Sequence, residues 1–171
     1  RAWRWVSGTF GWWWRYDDGN YPTSTQLRID GAIYRFNARG YMVTGWVYED
    51  GQWYYYGASG GQAAGWVRVH GTWYYLDPLT GAMASGWTKV QGTWYYLSSS
   101  GAMRTGWVRD GSAWYYLTSS GALATGWQRV GSSWYYLSPD GGAMVTGWLR
   151  DGDSWYYLTS SGAMATGSRW I

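Results

Sequence analysis

The stretch Gly106-Trp107-Val108-Arg109-Asp110-Gly111-Ser112-Ala113-Trp114-Tyr115-Tyr116-Leu117, continuing through Thr118-Ser119-Ser120-Gly121-Ala122-Leu123-Ala124-Thr125, decides how the whole chain reads. It is one copy of a repeat. Gly-Trp dipeptides place Trp46, Trp66, Trp87, Trp107, Trp127 and Trp148 at spacings of 20, 21, 20, 20 and 21 residues. Seven residues after each comes a second tryptophan: Trp53, Trp73, Trp94, Trp114, Trp134 and Trp155. One such unit is too small to bury a core alone, so a period held this strictly means units stacked on their neighbours.

Each unit reads as a β-hairpin, because aromatic and β-branched residues flank a short glycine-bearing turn. With a two-residue turn at Asp50-Gly51, Tyr48 lies opposite Trp53, Val47 opposite Tyr54 and Trp46 opposite Tyr55. Opposed residues share a face of the ribbon and strand neighbours alternate. Trp46, Trp53 and Tyr55 therefore share one face, and Val47 and Tyr54 the other. Asp50-Gly51, His70-Gly71 and Gln91-Gly92 suit type I′ turns, whereas Gly111-Ser112, Gly131-Ser132 and Gly152-Asp153 suit type II′. The small, polar remainder of each unit is a connector. Pro78 and Pro139 fall in the connectors of the two longer repeats, so the extra residue is absorbed in a loop. Met83, Met103, Leu123, Met144 and Met164 recur at one place there and read as the inner seam of the stack, a place from which some of them could also floor a pocket.

The chain has 171 residues, with 18 Trp, 18 Tyr and 27 Gly against 2 Phe. Aliphatic residues are too few for an ordinary core, so stacked rings must supply much of the buried area. Cysteine is absent, which removes disulfides and thiolate metal sites. No apolar run is long enough for a spanning helix, so membrane insertion is not expected. The net charge of +3 is a weak polarity that reads as a solvated surface rather than a nucleic-acid interface. The chain begins at Arg1 without a methionine or a signal-peptide pattern and reads as a piece of a longer or processed protein.

Residues 1–44 hold worn copies of the repeat, and residues 45–171 hold six regular ones, read together as one continuous solenoid. In the first worn copy Trp5 and Trp12 keep the seven-residue spacing around the atypical turn Thr9-Phe10. In the second, Gln26 stands where the first tryptophan would be, and Ile33 and Arg35 replace aromatic residues. That copy can form a hairpin but not an aromatic box. At the far end Ser168 stands where a tryptophan is due.

Catalytic groups are scarce. The single histidine, His70, is at a turn tip, and Asp50, Asp110, Asp140 and Asp151 lie at or beside turns, where carboxylates satisfy local amides. No recurring carboxylate pair, phosphate loop or metal-spaced cluster is present, so the chain is read as non-catalytic, without cofactor or metal. What recurs is two tryptophans and a tyrosine on one hairpin face beside another such face. Two rings from one hairpin and a third from its neighbour would line a cleft suited to a methylated cation. Flat aromatic rows also suit sugar rings, and the rings can equally act as glue for the stack.

The run Gly-Trp, a glycine turn, Trp-Tyr-Tyr-Leu, then Ser-Ser-Gly-Ala-Met-x-Thr-Gly closely resembles the choline-binding (cell-wall-binding) repeats of Gram-positive surface proteins and phage lysins. The segment from Trp12 to Pro22 is similar to the opening repeat of the pneumococcal amidase autolysin's module. The resemblance implies an all-β, left-handed solenoid of stacked β-hairpins with choline held between consecutive hairpins. It implies boxes of Trp46, Trp53 and Tyr75; Trp66, Trp73 and Tyr96; Trp87, Trp94 and Tyr116; Trp107, Trp114 and Tyr136; and Trp127, Trp134 and Tyr157. The second tyrosine of each pair is chosen because it shares a face with the tryptophans. Trp148 and Trp155 are weaker candidates because no regular repeat follows them. Trp5 and Trp12 are weaker because Arg35 stands where their third ring should be, and a cation there would repel the ligand.

The implied function is a multivalent module holding a larger protein, such as a cell-wall hydrolase, to choline on teichoic or lipoteichoic acid outside the cell. Two other readings stay open. One is a glucan-binding repeat module of an extracellular glucosyltransferase or toxin, and the other is an adhesin stalk with no small ligand.

Overall fold

Paired turn residues fold the chain into eight two-stranded antiparallel hairpins among the described residues, 3–167 of a computed structural model. Ser168 lies outside them. The worn copies form β1 (Trp3–Gly8) with β2 (Gly11–Tyr16) and β3 (Thr25–Ile29) with β4 (Ala32–Phe36). Next come β5 (Gly45–Glu49) with β6 (Gln52–Tyr56), and β7 (Gly65–Val69) with β8 (Thr72–Leu76). Then follow β9 (Gly86–Val90) with β10 (Thr93–Leu97), and β11 (Gly106–Asp110) with β12 (Ala113–Leu117). The series ends with β13 (Gly126–Val130) and β14 (Ser133–Leu137), then β15 (Gly147–Asp151) and β16 (Ser154–Leu158). The chain forms two compact units, Arg1–Ala84 and Ser85–Ile171.

Register and turn chemistry agree with the expectation. Trp46 pairs with Tyr55, Val47 with Tyr54 and Tyr48 with Trp53. Asp50 and Gly51 both have positive φ, 50° and 80°, as a type I′ turn needs. In the later hairpins only the first turn residue does, as at Gly111 with φ 60°, which is the type II′ pattern. The longer connectors absorb their extra residue in the loop: Asp77 N donates to Ala82 O, whereas the shorter connector closes from Ser98 N to Ala102 O.

No ladder joins one hairpin to the next, since every sheet has two strands. The connectors make the join. In the first unit Met42 N donates to Trp12 O (2.6 Å) and Met83 N to Trp53 O (2.8 Å). In the second, Leu123 N donates to Trp94 O, Met144 N to Trp114 O and Met164 N to Trp134 O, at 2.7–2.8 Å. Within each unit these connectors pin their hairpins to the one before.

From β4 onward the last residue of each second strand is the most deeply buried, and Trp14 and Ile29 join Phe36 in the core of the first unit. Phe36, Tyr56, Leu76, Leu97, Leu117, Leu137 and Leu158 are all fully buried. Each leucine contributes about 1.5–3 kcal/mol through burial. The methionine row is a second, less buried seam, in which Met103, Leu123 and Met144 pack against Gly121, Gly142 and Gly162 of the next connectors. Met83, Met103, Leu123, Met144 and Met164 are half-buried. Each pairs across one bridge with the leucine beneath it, as Leu123 does with Leu117.

Candidate functional site: aromatic cages between hairpins

Strand alternation sends the two tyrosines of each Trp-Tyr-Tyr run to opposite faces. The second faces with its own tryptophans. Tyr75 lies 5.1 Å from Trp66, and Tyr96, Tyr116 and Tyr136 lie 5.0 Å from Trp87, Trp107 and Trp127 of their own hairpins. Tyr157 likewise packs on Trp148, at 5.1 Å. The first tyrosine looks back to the preceding hairpin. Tyr74 lies 4.9 Å from Trp46, Tyr115 5.0 Å from Trp87, and Tyr135 and Tyr156 4.9 Å from Trp107 and Trp127.

This changes the expected boxes. Sharing a face with the tryptophans is the property that keeps Tyr75, Tyr116, Tyr136 and Tyr157 at home, because that face points forward along the stack. A closing ring must come from the face that points back. Trp66 and Trp73 belong to the first unit, and Tyr96 to the second, where it lies against Trp87.

The geometry is that of an open cage. Trp46 and Trp53 meet nearly at right angles, with an interplanar angle of 86° and centroids 6.4 Å apart. Trp87, Trp94 and Tyr115 line a cleft of about 360 Å³, with Leu123 and Gly141 completing it. The connector approaches closely here: a Cβ on Gly142, whose φ is 80°, would come within 2.9 Å of Leu123 Cδ2. The outer tryptophans Trp53, Trp94, Trp114 and Trp134 stay 40–42% exposed, so each cage has an open mouth. Leu123, also in the seam, is the fourth wall of this cleft, as Met42 is of the cleft of Trp5 and Trp12.

Charge flanks some cages. Trp87 Nε1 donates to Asp110 Oδ2 and Trp127 Nε1 to Asp151 Oδ2, both at 2.9 Å. Val69 and Val130 occupy that strand position in the hairpins facing Trp46 and Trp107.

Trp5 and Trp12 have a complete cage. With Tyr34 and Met42 they line a cleft of about 390 Å³, and Tyr34 lies 4.8 Å from Trp5. The expectation of a damaged site compared Arg35 with the wrong tyrosine. Arg35 pairs with Gln26 across its hairpin, as Tyr55 pairs with Trp46, so Tyr34 is the ring that closes the cage. Arg35 is held instead by an ion pair with Glu49. Trp148 and Trp155 are 59% and 61% exposed, the most open of the paired tryptophans.

Hairpins joined by connector hydrogen bonds and by ring contacts, with aromatic cages at their junctions, define a ligand-binding repeat module. The sequence matches the choline-binding repeat over residues 23–64, 50–86, 84–125 and 124–168, and the chain belongs to that family. Among solved structures it is similar to choline binding protein F from Streptococcus pneumoniae, at 38% identity over 93% of this chain and 57% of that one, with a TM-score of 0.83. It is also similar to the modular autolysin LytC from S. pneumoniae, at 32% identity over 98% of this chain and 38% of that one, with a TM-score of 0.70. The modular Cpl-1 endolysin matches at 34% identity over 81% of this chain and 40% of that one, with a TM-score of 0.54. The chain thus spans well under two thirds of each of these proteins. No curated protein matches it.

Proposed function

We propose that the chain is a non-catalytic, multivalent module that binds choline in its inter-hairpin cages. In this reading it holds a larger protein on choline-decorated teichoic or lipoteichoic acid at a bacterial surface. The observation that carries the reading is one cage of two tryptophans, a backward-facing tyrosine and a methionine or leucine, repeated along the chain. The ring faces attract a diffuse positive charge, and the methyl groups fill the apolar space without stranding a hydrogen-bond donor. The assigned cages are Trp5, Trp12 and Tyr34; Trp46, Trp53 and Tyr74; Trp87, Trp94 and Tyr115; Trp107, Trp114 and Tyr135; and Trp127, Trp134 and Tyr156.

Each ring contributes about 0.5–1 kcal/mol, rising to about 2 when desolvated. Three rings therefore give roughly millimolar affinity per cage. Repetition along a polymer that repeats the same group turns weak sites into a firm anchor by effective concentration. Further support comes from relatives: choline binding protein F and the Cpl-1 endolysin have been solved with a peptidoglycan analogue, a tetrasaccharide-pentapeptide.

The test is a calorimetric and tryptophan-fluorescence titration with choline, run beside ethanolamine and dextran oligosaccharides. Saturable binding of choline and none of ethanolamine is expected, and Tyr34→Ala should weaken one choline site by roughly 2–30-fold. A response to dextran alone, or to none of the three, would overturn the reading.

A further inference from the structure

One junction in the first unit keeps the frame of a cage but fills it with polar groups. Gln62 N donates to Ile33 O at 2.8 Å, as Met83 N does to Trp53 O. Gln26, Ile33, Tyr54 and Gln62 therefore hold the four cage positions, and they line a cleft of about 420 Å³ together with Arg35 and Glu49.

The replacements are partners of one another. Gln26 Nε2 donates to the Tyr56 hydroxyl at 2.7 Å, and Gln62 Nε2 approaches the same oxygen at 3.4 Å. Tyr56 itself stands where the regular repeats have leucine, and it is fully buried. Arg35, which replaces the second tyrosine of the pair, is tied to Glu49 of the next hairpin. A worn-out cage would leave an apolar hole or stranded polar atoms, whose burial is costly. Here the two amides are anchored on the Tyr56 hydroxyl and Arg35 on Glu49, so the polar groups are held in place as an oriented polar site requires.

Such a cleft is unsuited to a quaternary ammonium, since one ring remains and a guanidinium lies in the wall. One aromatic face bordered by two primary amides, a carboxylate and a guanidinium suits a ring with an apolar face and a rim of hydroxyls. Carboxylate and guanidinium groups engage neighbouring hydroxyls in pairs, and each amide both donates and accepts. Its size is within the range of small-molecule sites. We propose that this cleft, built from Gln26, Ile33, Arg35, Glu49, Tyr54 and Gln62, binds a neutral saccharide unit. The chain then reads a sugar at one junction and methylated cations at the others.

The test follows the side-chain amide resonances of Gln26 and Gln62 in the ¹⁵N-labelled full chain. A glucose trisaccharide and an N-acetylglucosamine trisaccharide are titrated, each with and without saturating choline. At least one should shift these amides saturably in both conditions, without moving the indole resonances that report the cages. Gln62→Met, which installs the side chain of a regular cage, and Gln26→Leu should each weaken that response by about 3–10-fold. Choline binding should be unchanged in both variants. Absence of a saturable shift with either sugar, or a shift indifferent to both substitutions, overturns the proposal. The choline response is read on separate resonances, so failure of the cages and failure of this cleft are distinguishable.

Discussion

Replacing Tyr115 by alanine removes one of the three rings around the cleft of Trp87 and Trp94 and leaves its neighbour Tyr116 in place. Tyr115 lies 5.0 Å from Trp87 across the hairpin junction, whereas Tyr116 lies 5.0 Å from Trp107 within its own hairpin. A ring in such a cage contributes about 0.5–2 kcal/mol, so this one site should weaken by roughly 2–30-fold. Tyr115→Phe keeps the ring and should stay within about twofold of the parent. Tyr116→Ala should spare the Trp87 cage and disturb the Trp107 cage, whose first wall it supports. The assay is a choline titration followed on the indole Nε1–H resonances of Trp87, Trp94, Trp107 and Trp114, which reports each cage separately. The reasoning is refuted if Tyr116→Ala weakens the response of Trp87 and Trp94 while Tyr115→Ala leaves it intact.

Asp110→Asn removes a carboxylate bonded to Trp87 Nε1 at the edge of that cage; an exposed charge is worth about 0.2–1 kcal/mol, so choline should bind there up to about fivefold more weakly. No change in the Trp87 titration would show that the carboxylate only orients the indole. Leu117→Ala empties a fully buried position and should lower stability by about 2–5 kcal/mol in urea unfolding; a loss below about 1 kcal/mol would contradict the placement of the core. Burial pushes the Tyr56 phenol above its ordinary 10.0, against the opposing hydrogen bonds from Gln62 and Gln26. Its contribution to stability is therefore complete below about pH 10 and is lost as pH rises through the higher folded-state value. The urea midpoint of the parent should fall more steeply above pH 10 than that of Tyr56→Leu, and parallel curves would count against this account.

Much of the architecture was legible because a hairpin is a local structure. The glycine in each turn dipeptide sets the turn type, the turn sets the register, and the register sets which side chains oppose one another. Trp46 opposite Tyr55 follows from Asp50-Gly51 alone. The closing tyrosine was misread although its signal was present. Alternation puts Tyr74 and Tyr75 on opposite faces, and a ring that closes a neighbour's cage must leave the face of its own tryptophans. The same step, applied to Ile33-Tyr34-Arg35, finds the ring that completes the Trp5 and Trp12 cage.

The sequence by itself determined the hairpins, their turns, the repeated pairs of tryptophans and the family they belong to, since each depends on residues a few positions apart. Only the tertiary structure decided that successive hairpins meet with the face of one against the back of the next, the premise from which alternation selects Tyr115 over Tyr116. It also decided that Leu123 and Met42 wall their clefts while the strand-end leucines fill the core. The physical reason is that the hairpins share no ladder. Their order in space is set by contacts across the junctions, such as the hydrogen bond from Leu123 N to Trp94 O, between residues 29 apart in the chain, and the packing of Tyr115 on Trp87. No local pattern encodes such a contact.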